Sequence, residues 1–203
     1  MSEHYFTAEP ASAGALRPLT VRLAGRELQL TTTGGVFSPD RVDTGTQVLL
    51  REVPDPPASG TLLDVGCGWG PLALTMALLS PAASVWAVDV NERALDLLRH
   101  NATSAGLTNV SAATPDQVAD DVRFDVIWSN PPIRIGKQAL HALLLHWLPR
   151  LAPGGVAYLV VQRHLGSDSL QRWLDDQLGA DGYVVSRHAS AKGYRVLQVT
   201  APA

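Results

Sequence analysis

Residues 61–70 constrain the fold more than any other part of this chain. They read TLLDVGCGWG, an apolar run followed by glycines at alternate positions, and apolar residues at helical spacing continue through residues 72–79. This pattern predicts a strand, a tight turn and a helix. In such a turn the backbone N–H groups at the helix N-terminus can approach a bound ligand closely. We therefore expect a nucleotide-like ligand at this turn.

The glycine spacing distinguishes between two kinds of ligand. The dinucleotide fingerprint is G-x-G-x-x-G, whereas Gly66, Gly68 and Gly70 alternate and Pro71 follows directly. Asp64, at the end of the predicted strand, would repel a pyrophosphate but would accept hydrogen bonds from an ammonium group. The loop therefore suits a cationic amino-acid moiety, and a nicotinamide dehydrogenase is disfavoured. The D-x-G-x-G-x-G pattern resembles the first motif of class I S-adenosylmethionine methyltransferases.

The alternation of apolar segments predicts the fold class. Five apolar strand segments, at 61–65, 84–88, 110–113, 124–128 and 156–161, alternate with helical segments, and two alternating strands at 183–187 and 194–199 follow. We predict an α/β, Rossmann-like sheet of seven strands, mostly parallel with an antiparallel C-terminal hairpin, with helices on both faces. We also predict an N-terminal extension over 1–33 with a β-hairpin, and a methyltransferase domain over 34–203.

Composition narrows the function classes. A net charge of −3 argues against wide, nonspecific contact with nucleic-acid backbone, although a local basic patch remains compatible with it. Cys67 is the single cysteine, which excludes an internal disulfide and a multi-cysteine metal site, so we expect no metal. The sequence shows neither a signal-peptide pattern nor an apolar run of membrane-spanning length. We therefore expect a soluble, cytoplasmic protein without a membrane partner.

Two acidic residues follow predicted strands at positions suited to a nucleoside. Asp89 closes the second core strand about twenty residues after the glycine turn, where a carboxylate accepts hydrogen bonds from a ribose diol. Asp116 follows the third core strand, in a segment that borders the adenine in methyltransferases. It could accept a hydrogen bond from the adenine amino group, and a simple helix cap is an equally good interpretation.

The turn Asn130-Pro131-Pro132-Ile133 carries the most specific chemical signal. It follows the fourth core strand at the carboxyl edge of the sheet, where ligands bind in such folds. The prolines stiffen the turn and remove backbone donors, which leaves the Asn130 side-chain oxygen and the Pro131 carbonyl as acceptors. Two acceptors that hold the N–H groups of a planar amine aim its lone pair at an electrophile. We predict methyl transfer to such an amine without a general base.

Several motifs together resemble one family. GVFS at 35–38, DTGT at 43–46, the glycine loop, Asp89 and NPPIRIGK at 130–137 occur in the order found in small-domain methyltransferases, typified by bacterial 16S rRNA guanine-N2 methyltransferases. The resemblance covers about residues 34–200. It implies S-adenosyl-L-methionine as cofactor, an exocyclic amine as acceptor, most specifically guanine N2, and RNA or a ribosomal subunit as partner.

The resemblance also implies site residues. The implied catalytic turn consists of Asn130, Pro131, Pro132 and Ile133. The implied cofactor-binding residues are Thr46, Asp64, Gly66, Cys67, Gly68, Asp89, Val90, Asp116 and Asn130.

Two features depart from the family pattern. The residue after the second proline is often aromatic in amine methyltransferases, where it stacks on a base, but here it is Ile133. An aliphatic wall loses base–aromatic stacking, worth ~1–3 kcal/mol per base, and Phe37 could supply an aromatic surface instead. The characterised ribosomal enzymes also carry a degenerate second domain in front of the catalytic one, whereas only a short segment precedes the motifs here.

Positive side chains flank the predicted pocket. Arg134 and Lys137 follow the Asn-Pro-Pro turn, and Arg163 follows the fifth core strand. They are expected on one rim of the sheet, where they could contact substrate phosphates. Solvated charges on a loop and a helix start are an equally good interpretation.

Two other functions fit parts of the pattern. The Asn-Pro-Pro turn suits a planar protein glutamine amide as well as a base amine. A non-enzymatic RNA-binding or assembly factor could keep the same fold, although the presence of Asp64, Asp89 and Asn130 argues against it.

Overall fold

The computed structural model describes residues 15–203, so residues 1–14 of the predicted N-terminal extension lie outside the described residues. The described chain forms two compact units. The first contains the described residues up to Asp43 together with Asp55–Asp120, and the second contains Thr44–Pro54 and Asp121–Ala203. The division into an extension over 1–33 and a domain over 34–203 stays a prediction.

The helices and strands follow one another in this order: β1 (Arg17–Leu23), β2 (Arg26–Thr32), α1 (Thr44–Glu52), β3 (Ser59–Val65), α2 (Pro71–Leu79), β4 (Ala82–Val88), α3 (Glu92–Ser104), β5 (Val110–Ala113), β6 (Phe124–Ser129), α4 (Lys137–Trp147), β7 (Leu151–Gln162), α5 (Ser167–Leu178), β8 (Val184–Ala191) and β9 (Tyr194–Thr200). The strand order in the large sheet is β5-β4-β3-β6-β7-β9-β8. This seven-stranded mixed sheet, with its antiparallel C-terminal pair, confirms the predicted fold class.

In the first unit, three parallel strands support two helices. β3 pairs with β4 and β4 pairs with β5, both in parallel. The residues of β3 from Leu62 to Val65 are all buried, as expected for a parallel strand covered on both faces. Pro71 opens α2, where its missing N–H is not needed. Asn91 caps α3 by accepting a hydrogen bond from the backbone N–H of Arg93 at 3.1 Å.

The first unit also contains the predicted N-terminal hairpin. β1 and β2 pair antiparallel, and their register places Leu23 opposite Arg26. The two turn residues, Ala24 and Gly25, both have positive φ, of 47° and 74°. This is the type I′ geometry that matches the natural twist of a hairpin.

In the second unit, parallel and antiparallel pairing meet at β7. β6 pairs with β7 in parallel, while β9 pairs antiparallel with both β7 and β8. α1 lies against β7 and β9. The core contains Phe124 and Trp147, and the buried Arg150 guanidinium lies 5.4 Å and 4.8 Å from the centres of their rings.

Three element boundaries in the second unit differ from the sequence-based prediction. β7 was expected to begin at residue 156 after a Pro-Gly-Gly turn, but it begins at Leu151. The segment stays on the sheet because Gly154 N–H bonds to the Pro202 carbonyl and Gly155 accepts from Ala201 N–H. A side chain at Gly155 would overlap the Phe124 carbonyl, so only glycine fits there.

The other two differences concern β8 and α4. β8 was expected over 183–187 with a five-residue link, but it runs from Val184 to Ala191 through an irregularity between Arg187 and Ala189. Only two residues then form the turn. The spacing of apolar residues predicts a helix over 137–151, but α4 ends at Trp147 and a 3-10 turn follows. Pro149 lacks the backbone donor that another α-helical turn requires.

None of the helices in the described range 15–203 combines the length and apolar character needed to cross a bilayer.

Candidate functional site

The glycine loop follows the carboxyl end of β3, leads into α2 and is hydrogen-bonded to the carboxyl end of β4. The backbone N–H groups of Gly66 and Cys67 both donate to the Val88 carbonyl, at 2.8 Å and 3.0 Å, and Gly70 N–H donates to the Cys67 carbonyl at 2.9 Å. Gly66, Gly68 and Gly70 all have positive φ, of 77°, 54° and 100°. Residues with a Cβ rarely adopt this conformation, which explains the three glycines. The predicted tight turn between strand and helix is therefore present.

Gly68 and Gly70 face different surroundings. A Cβ at Gly70 would overlap Cδ1 of the buried Leu98, so this glycine allows α2 and α3 to pack closely. A Cβ at Gly68 would meet no atom of the described residues within 4 Å. The loop backbone at Gly68 therefore borders open space, which a ligand can enter without displacing a side chain.

Asp89 links the glycine loop to the start of α3. Its Oδ2 accepts a hydrogen bond from Gly68 N–H at 2.9 Å, and its Oδ1 accepts one from Asn91 N–H at 3.0 Å. Burial raises the pKa of Asp89 above its usual value, although the backbone N–H groups of Asn91, Gly68 and Val90 act in the opposite direction. Each carboxylate oxygen keeps a second acceptor site, so the half-buried side chain can still accept from a ribose diol.

Asp64 is fully buried beneath the loop. Its Oδ2 accepts from Ala73 N–H in the first turn of α2, at 3.0 Å. Among the described residues no donor lies within hydrogen-bond distance of its Oδ1. Burial raises the pKa of Asp64 from 3.8 to about 8, and the nearby Asp89 adds to the shift while Ala73 N–H opposes it. An orphaned buried acceptor of this kind fits a site for a cationic ligand.

The remaining predicted cofactor residues of the first unit differ in exposure. Burial raises the pKa of the Cys67 thiol, and the nearby Asp89 and Asp64 raise it further, so the thiol stays protonated. Val90 is 47% exposed. Asp116 is also exposed, in a 3-10 turn whose capping box is formed by Thr114 and Gln117. The cap interpretation therefore applies to Thr114 rather than to Asp116.

The loop that carries Phe37 is held by two side chains that the sequence analysis did not assign to the site. Trp69 Nε1–H donates to the Ser38 carbonyl at 3.1 Å, and Asn91 Nδ2–H donates to the Gly35 carbonyl at 2.9 Å. Both side chains are buried, whereas Phe37 between them is 45% exposed. The available sequence signal was the position of Trp69 inside the glycine loop, but a tryptophan there is equally compatible with core packing.

In the second unit, the Asn130 side chain is oriented by α1. Asn130 Nδ2–H donates to the buried Thr46 hydroxyl at 3.1 Å. Because the amide nitrogen of Asn130 bonds to Thr46, the acceptor oxygen Oδ1 points away from Thr46. The prediction that Thr46 binds the cofactor stays a prediction, and in the structure its hydroxyl accepts a hydrogen bond from Asn130, which is 84 residues away in sequence.

The prolines after Asn130 form an inverse γ-turn. The Ile133 N–H donates to the Pro131 carbonyl at 2.8 Å, and Pro132 between them has φ −73° and ψ 77°. The Pro131 carbonyl is thus already one partner in an internal bond, which the sequence analysis did not foresee. A carbonyl oxygen has two lone pairs, so it can accept a second hydrogen bond from a substrate amine. The turn is rigid because proline restricts its central φ.

The three predicted phosphate contacts lie on the exposed surface of the second unit. Arg134 occupies the 3-10 turn Ile133–Ile135, Lys137 is the first residue of α4, and Arg163 begins a 3-10 turn directly after β7. Because β6 and β7 are parallel neighbours, the segments that follow them emerge at the same edge of the sheet. In the part of the chain that the structure describes, no three His, Cys, Asp or Glu side chains cluster as a metal site.

Comparison with known proteins identifies relatives of two kinds. The methyltransferase small domain family matches residues 27–198. An uncharacterized protein of Bacillus subtilis, YbxB, is 33% identical over 201 residues, covering 98% of both chains. The ribosomal RNA small subunit methyltransferase C of Klebsiella pneumoniae is 33% identical over 174 residues, covering 84% of this chain and 49% of the relative. The chain thus spans about half the length of such ribosomal enzymes.

A solved structure supports the same relationship. The T. thermophilus 16S rRNA N2 methyltransferase RsmC, in complex with AdoMet and guanosine, matches with a TM-score of 0.77 and 26% identity over 96% of this chain and 52% of that one. Its bound AdoMet supports the predicted cofactor, S-adenosyl-L-methionine. The open backbone at Gly68, the acceptor sites of Asp89 and the orphaned Oδ1 of Asp64 fit that cofactor. The resemblance noted in the sequence is confirmed, and the chain belongs to the methyltransferase small domain family.

Proposed function

We propose that this chain is an S-adenosylmethionine-dependent N-methyltransferase that acts on an exocyclic amine, guanine N2 in ribosomal RNA. The observation that carries the proposal is the Asn130–Pro132 turn. Its side-chain amide is oriented by Thr46, and its backbone is held in an inverse γ-turn. The turn therefore presents oxygen acceptors in a rigid arrangement, which suits a planar amine as substrate.

The first unit supplies the residues that would hold the methyl donor. The Gly66–Gly68 backbone borders the open space, and Asp89 would accept hydrogen bonds from the ribose hydroxyls. Val90 and Asp116, both exposed, would border the adenine. Asp64 would act from below the loop, where its carboxyl group accepts from Ala73 N–H and so supports the first turn of α2. When bound, S-adenosylmethionine supplies an electrophilic methyl group on a sulfonium sulfur.

The second unit supplies the residues that would hold the acceptor. The amine lone pair of guanine is delocalised into the ring, which makes the nitrogen a poor nucleophile. Hydrogen bonds from its two N–H groups to Asn130 Oδ1 and the Pro131 carbonyl favour a pyramidal nitrogen with its lone pair available. A new N–C bond forms as the methyl S–C bond breaks, and the extra proton on nitrogen leaves to water. Holding the reactants in this orientation can contribute ~7–11 kcal/mol to rate acceleration.

Ile133, in the second unit, would pack on a face of the substrate base, and Phe37, in the first unit, could supply an aromatic surface to a ligand. Ile133 is half-buried and aliphatic, so it packs on a base face without aromatic stacking. Phe37 is exposed on a loop that Trp69 and Asn91 hold, which makes it the aromatic residue available for stacking. Arg134, Lys137 and Arg163 would contact substrate phosphates.

RNA is favoured over protein as substrate by the names of the relatives and by these positive side chains. The ribosomal enzymes that this chain resembles are small subunit rRNA methyltransferases, and the T. thermophilus structure contains guanosine. A ribosomal substrate would also place the protein in the cytoplasm. A glutamine amide in a protein presents the same planar N–H group to the Asn130 turn, so the acceptor must be determined directly.

The deciding experiment is methyl transfer from a labelled donor to total RNA and to total protein, incubated separately. We expect label in RNA, and nucleoside chromatography of the digest should assign it to N2-methylguanosine. The Asn130→Ala variant gives the background. Label confined to protein would replace RNA by a glutamine amide substrate. Absence of donor binding by calorimetry would instead indicate a non-enzymatic factor.

A further inference from the structure

Charge is distributed unequally between the two units. The segments 44–54 and 121–203 together contain ten Lys and Arg residues and seven Asp and Glu residues. The rest of the chain contains six basic and twelve acidic residues. The overall net charge of −3 therefore conceals a basic second unit, and such asymmetry is typical of proteins with a polyanionic partner.

Within the second unit, acidic and basic residues are distributed unequally between the two ends of the strands. No acidic residue occurs between Asp125 and Asp168 or after Asp181. Asp125, the second residue of β6, and Asp181, which precedes β8, lie at the edge of the sheet where these strands begin. Four basic residues lie at the opposite edge, where β6 and β7 end and where the β8–β9 turn is located: Arg134, Lys137, Arg163 and Lys192. Arg123 and Arg150 precede β6 and β7 at the first edge.

The β8–β9 turn lies directly beside the end of β7. The register places Tyr194, the first residue of β9, opposite Gln162 of β7 and Ala191 of β8. Arg163 N–H then donates to the Gly193 carbonyl at 2.9 Å. This bond brings Lys192, in the turn, next to the Arg163 segment. We call the exposed residues Arg163, His164 and Lys192 the basic rim.

The acidic side chain nearest in sequence to the basic rim does not neutralise it. Asp168 forms an ion pair with Arg195, which is mostly buried. Because Asp168 is paired with Arg195, it does not neutralise the positive charges of Arg163 and Lys192, which remain exposed on the surface. Arg163 and Lys192 take no part in the ion pairs found in the described part of the chain, which include Arg17–Asp40, Arg51–Glu52, Arg99–Asp96 and Arg195–Asp168.

Lys192 occupies a conformation that lysine does not favour. Its φ is 48° and that of Gly193 is 79°, so the pair forms a two-residue turn with positive φ at both positions. Asn, Asp and Gly are preferred at the first of these positions, and other L-residues cost roughly 1–2 kcal/mol there. The Ala24–Gly25 turn has the same geometry and therefore the same cost, but it presents no charge.

We propose that the basic rim binds the sugar–phosphate backbone of the RNA strand whose base enters the Asn130 turn. The proposal rests on the proposed function, since it concerns the same substrate, and it adds the hairpin tip to the substrate-binding surface. The basic rim and the Asn130 turn follow neighbouring parallel strands, so they lie at the same edge of the sheet. The cost of lysine at a strained position is explained if its charge contacts a phosphate.

The test compares two substitutions that relieve the same strain. Lys192→Asn and Ala24→Asn each place a favoured residue in a turn of the same geometry, so both should raise the midpoint of thermal unfolding. Only Lys192→Asn should weaken binding of a fluorescein-labelled single-stranded RNA oligonucleotide, by roughly three- to tenfold at low salt. Each phosphate contact removed should also reduce the slope of log K against log salt by about 0.7.

The Arg163→Gln, Lys192→Asn double variant should reduce that slope by about 1.4. RNA affinity and salt slope are measured by fluorescence anisotropy over a series of KCl concentrations. If both are the same in the double variant as in the wild type, the basic rim does not bind RNA. Donor binding by calorimetry should be unchanged in all these variants, which shows that the variants are folded.

The two proposals fail in different ways. If the wild-type protein transfers label to RNA but the double variant binds RNA normally, the basic rim is wrong and the proposed function stands. If the wild-type protein shows no salt-dependent RNA binding and transfers label to protein, the proposed RNA substrate is wrong and the basic rim falls with it.

Discussion

The glycine loop and the Asn130 turn are built in different ways. At the loop, the backbone N–H of Gly68 donates to the Asp89 carboxylate, and the N–H of Ala73 in α2 donates to Asp64, which is fully buried. In the turn, the Asn130 side chain donates a hydrogen bond to Thr46, Ile133 N–H donates to the Pro131 carbonyl, and Asn130 is only half-buried. The loop is thus anchored by a carboxylate in the buried core, whereas the side chain that defines the turn is partly exposed.

This difference predicts how each region responds to mutation. A substitution in the loop should affect donor affinity together with folding stability, because the same groups support both. A substitution of Asn130 in the turn should affect turnover with little change in donor affinity or stability, because its side chain is only half-buried. The variants below test this separation.

Asn130→Ala should give the largest effect. Removing the preorganised acceptor should lower turnover by about 100-fold or more, with donor affinity nearly unchanged. Single-turnover methyl transfer and calorimetry measure the two quantities. Asn109→Ala is a matched control, because Asn109 donates to the Ser80 and Ala83 carbonyls and its loss should reduce stability without affecting turnover. Near-normal turnover in Asn130→Ala would remove the turn from the catalytic site.

Asp89→Ala should come next. The variant loses both the acceptor for ribose and the bond to Gly68 N–H, so donor affinity should fall about 30-fold, in line with ~2 kcal/mol for a hydrogen bond to a charged group. Asp96→Ala is the control, since Asp96 forms an exposed ion pair with Arg99 and such pairs contribute little. An unchanged calorimetric affinity in Asp89→Ala would contradict the ribose assignment.

Thr46→Val should have a smaller effect, and it separates two roles for one residue. The substitution removes the hydrogen bond by which Thr46 orients the Asn130 side chain, so turnover should fall by up to about tenfold, the equivalent of ~1.4 kcal/mol. Thr46→Ser retains the hydroxyl and should restore turnover. If donor affinity falls instead of turnover, Thr46 binds the cofactor, as the sequence resemblance implies.

Asp64→Asn should make the free energy of unfolding depend less steeply on pH, which is the smallest of the expected effects. The pKa of Asp64 is raised from 3.8 to about 8 in the folded protein, so its contribution to the free energy of unfolding is fully present below pH 3.8 and is lost as pH rises towards 8. Asparagine does not ionise, so the stability of the variant should fall less steeply over this range, by roughly 0.5–1 kcal/mol per pH unit. Urea unfolding at several pH values measures the slope, and equal slopes in both proteins would show that Asp64 does not titrate in this window.

The local parts of the site were predictable because they depend on neighbouring residues. The three alternating glycines have positive φ and lie within five residues of one another. The capping of α3 by Asn91 likewise involves two residues that are only two positions apart. The inverse γ-turn follows from the conformational restriction of two prolines, although its internal bond to the Pro131 carbonyl was not foreseen. The roles of Trp69 and Asn91 were not predictable, since each holds a loop that is more than 30 residues away in sequence.

The sequence by itself determined the strand–turn–helix at the glycine loop, the acidic residue after β4 and the rigid turn after β6, because short-range backbone preferences decide these features. Only the tertiary structure decided that Thr46 orients Asn130, that Asp64 is buried with one unpartnered oxygen among the described residues, and that Lys192 lies beside Arg163. Each of these depends on strand register and on packing between distant segments. Local preferences leave such contacts open, and the folded core selects among them.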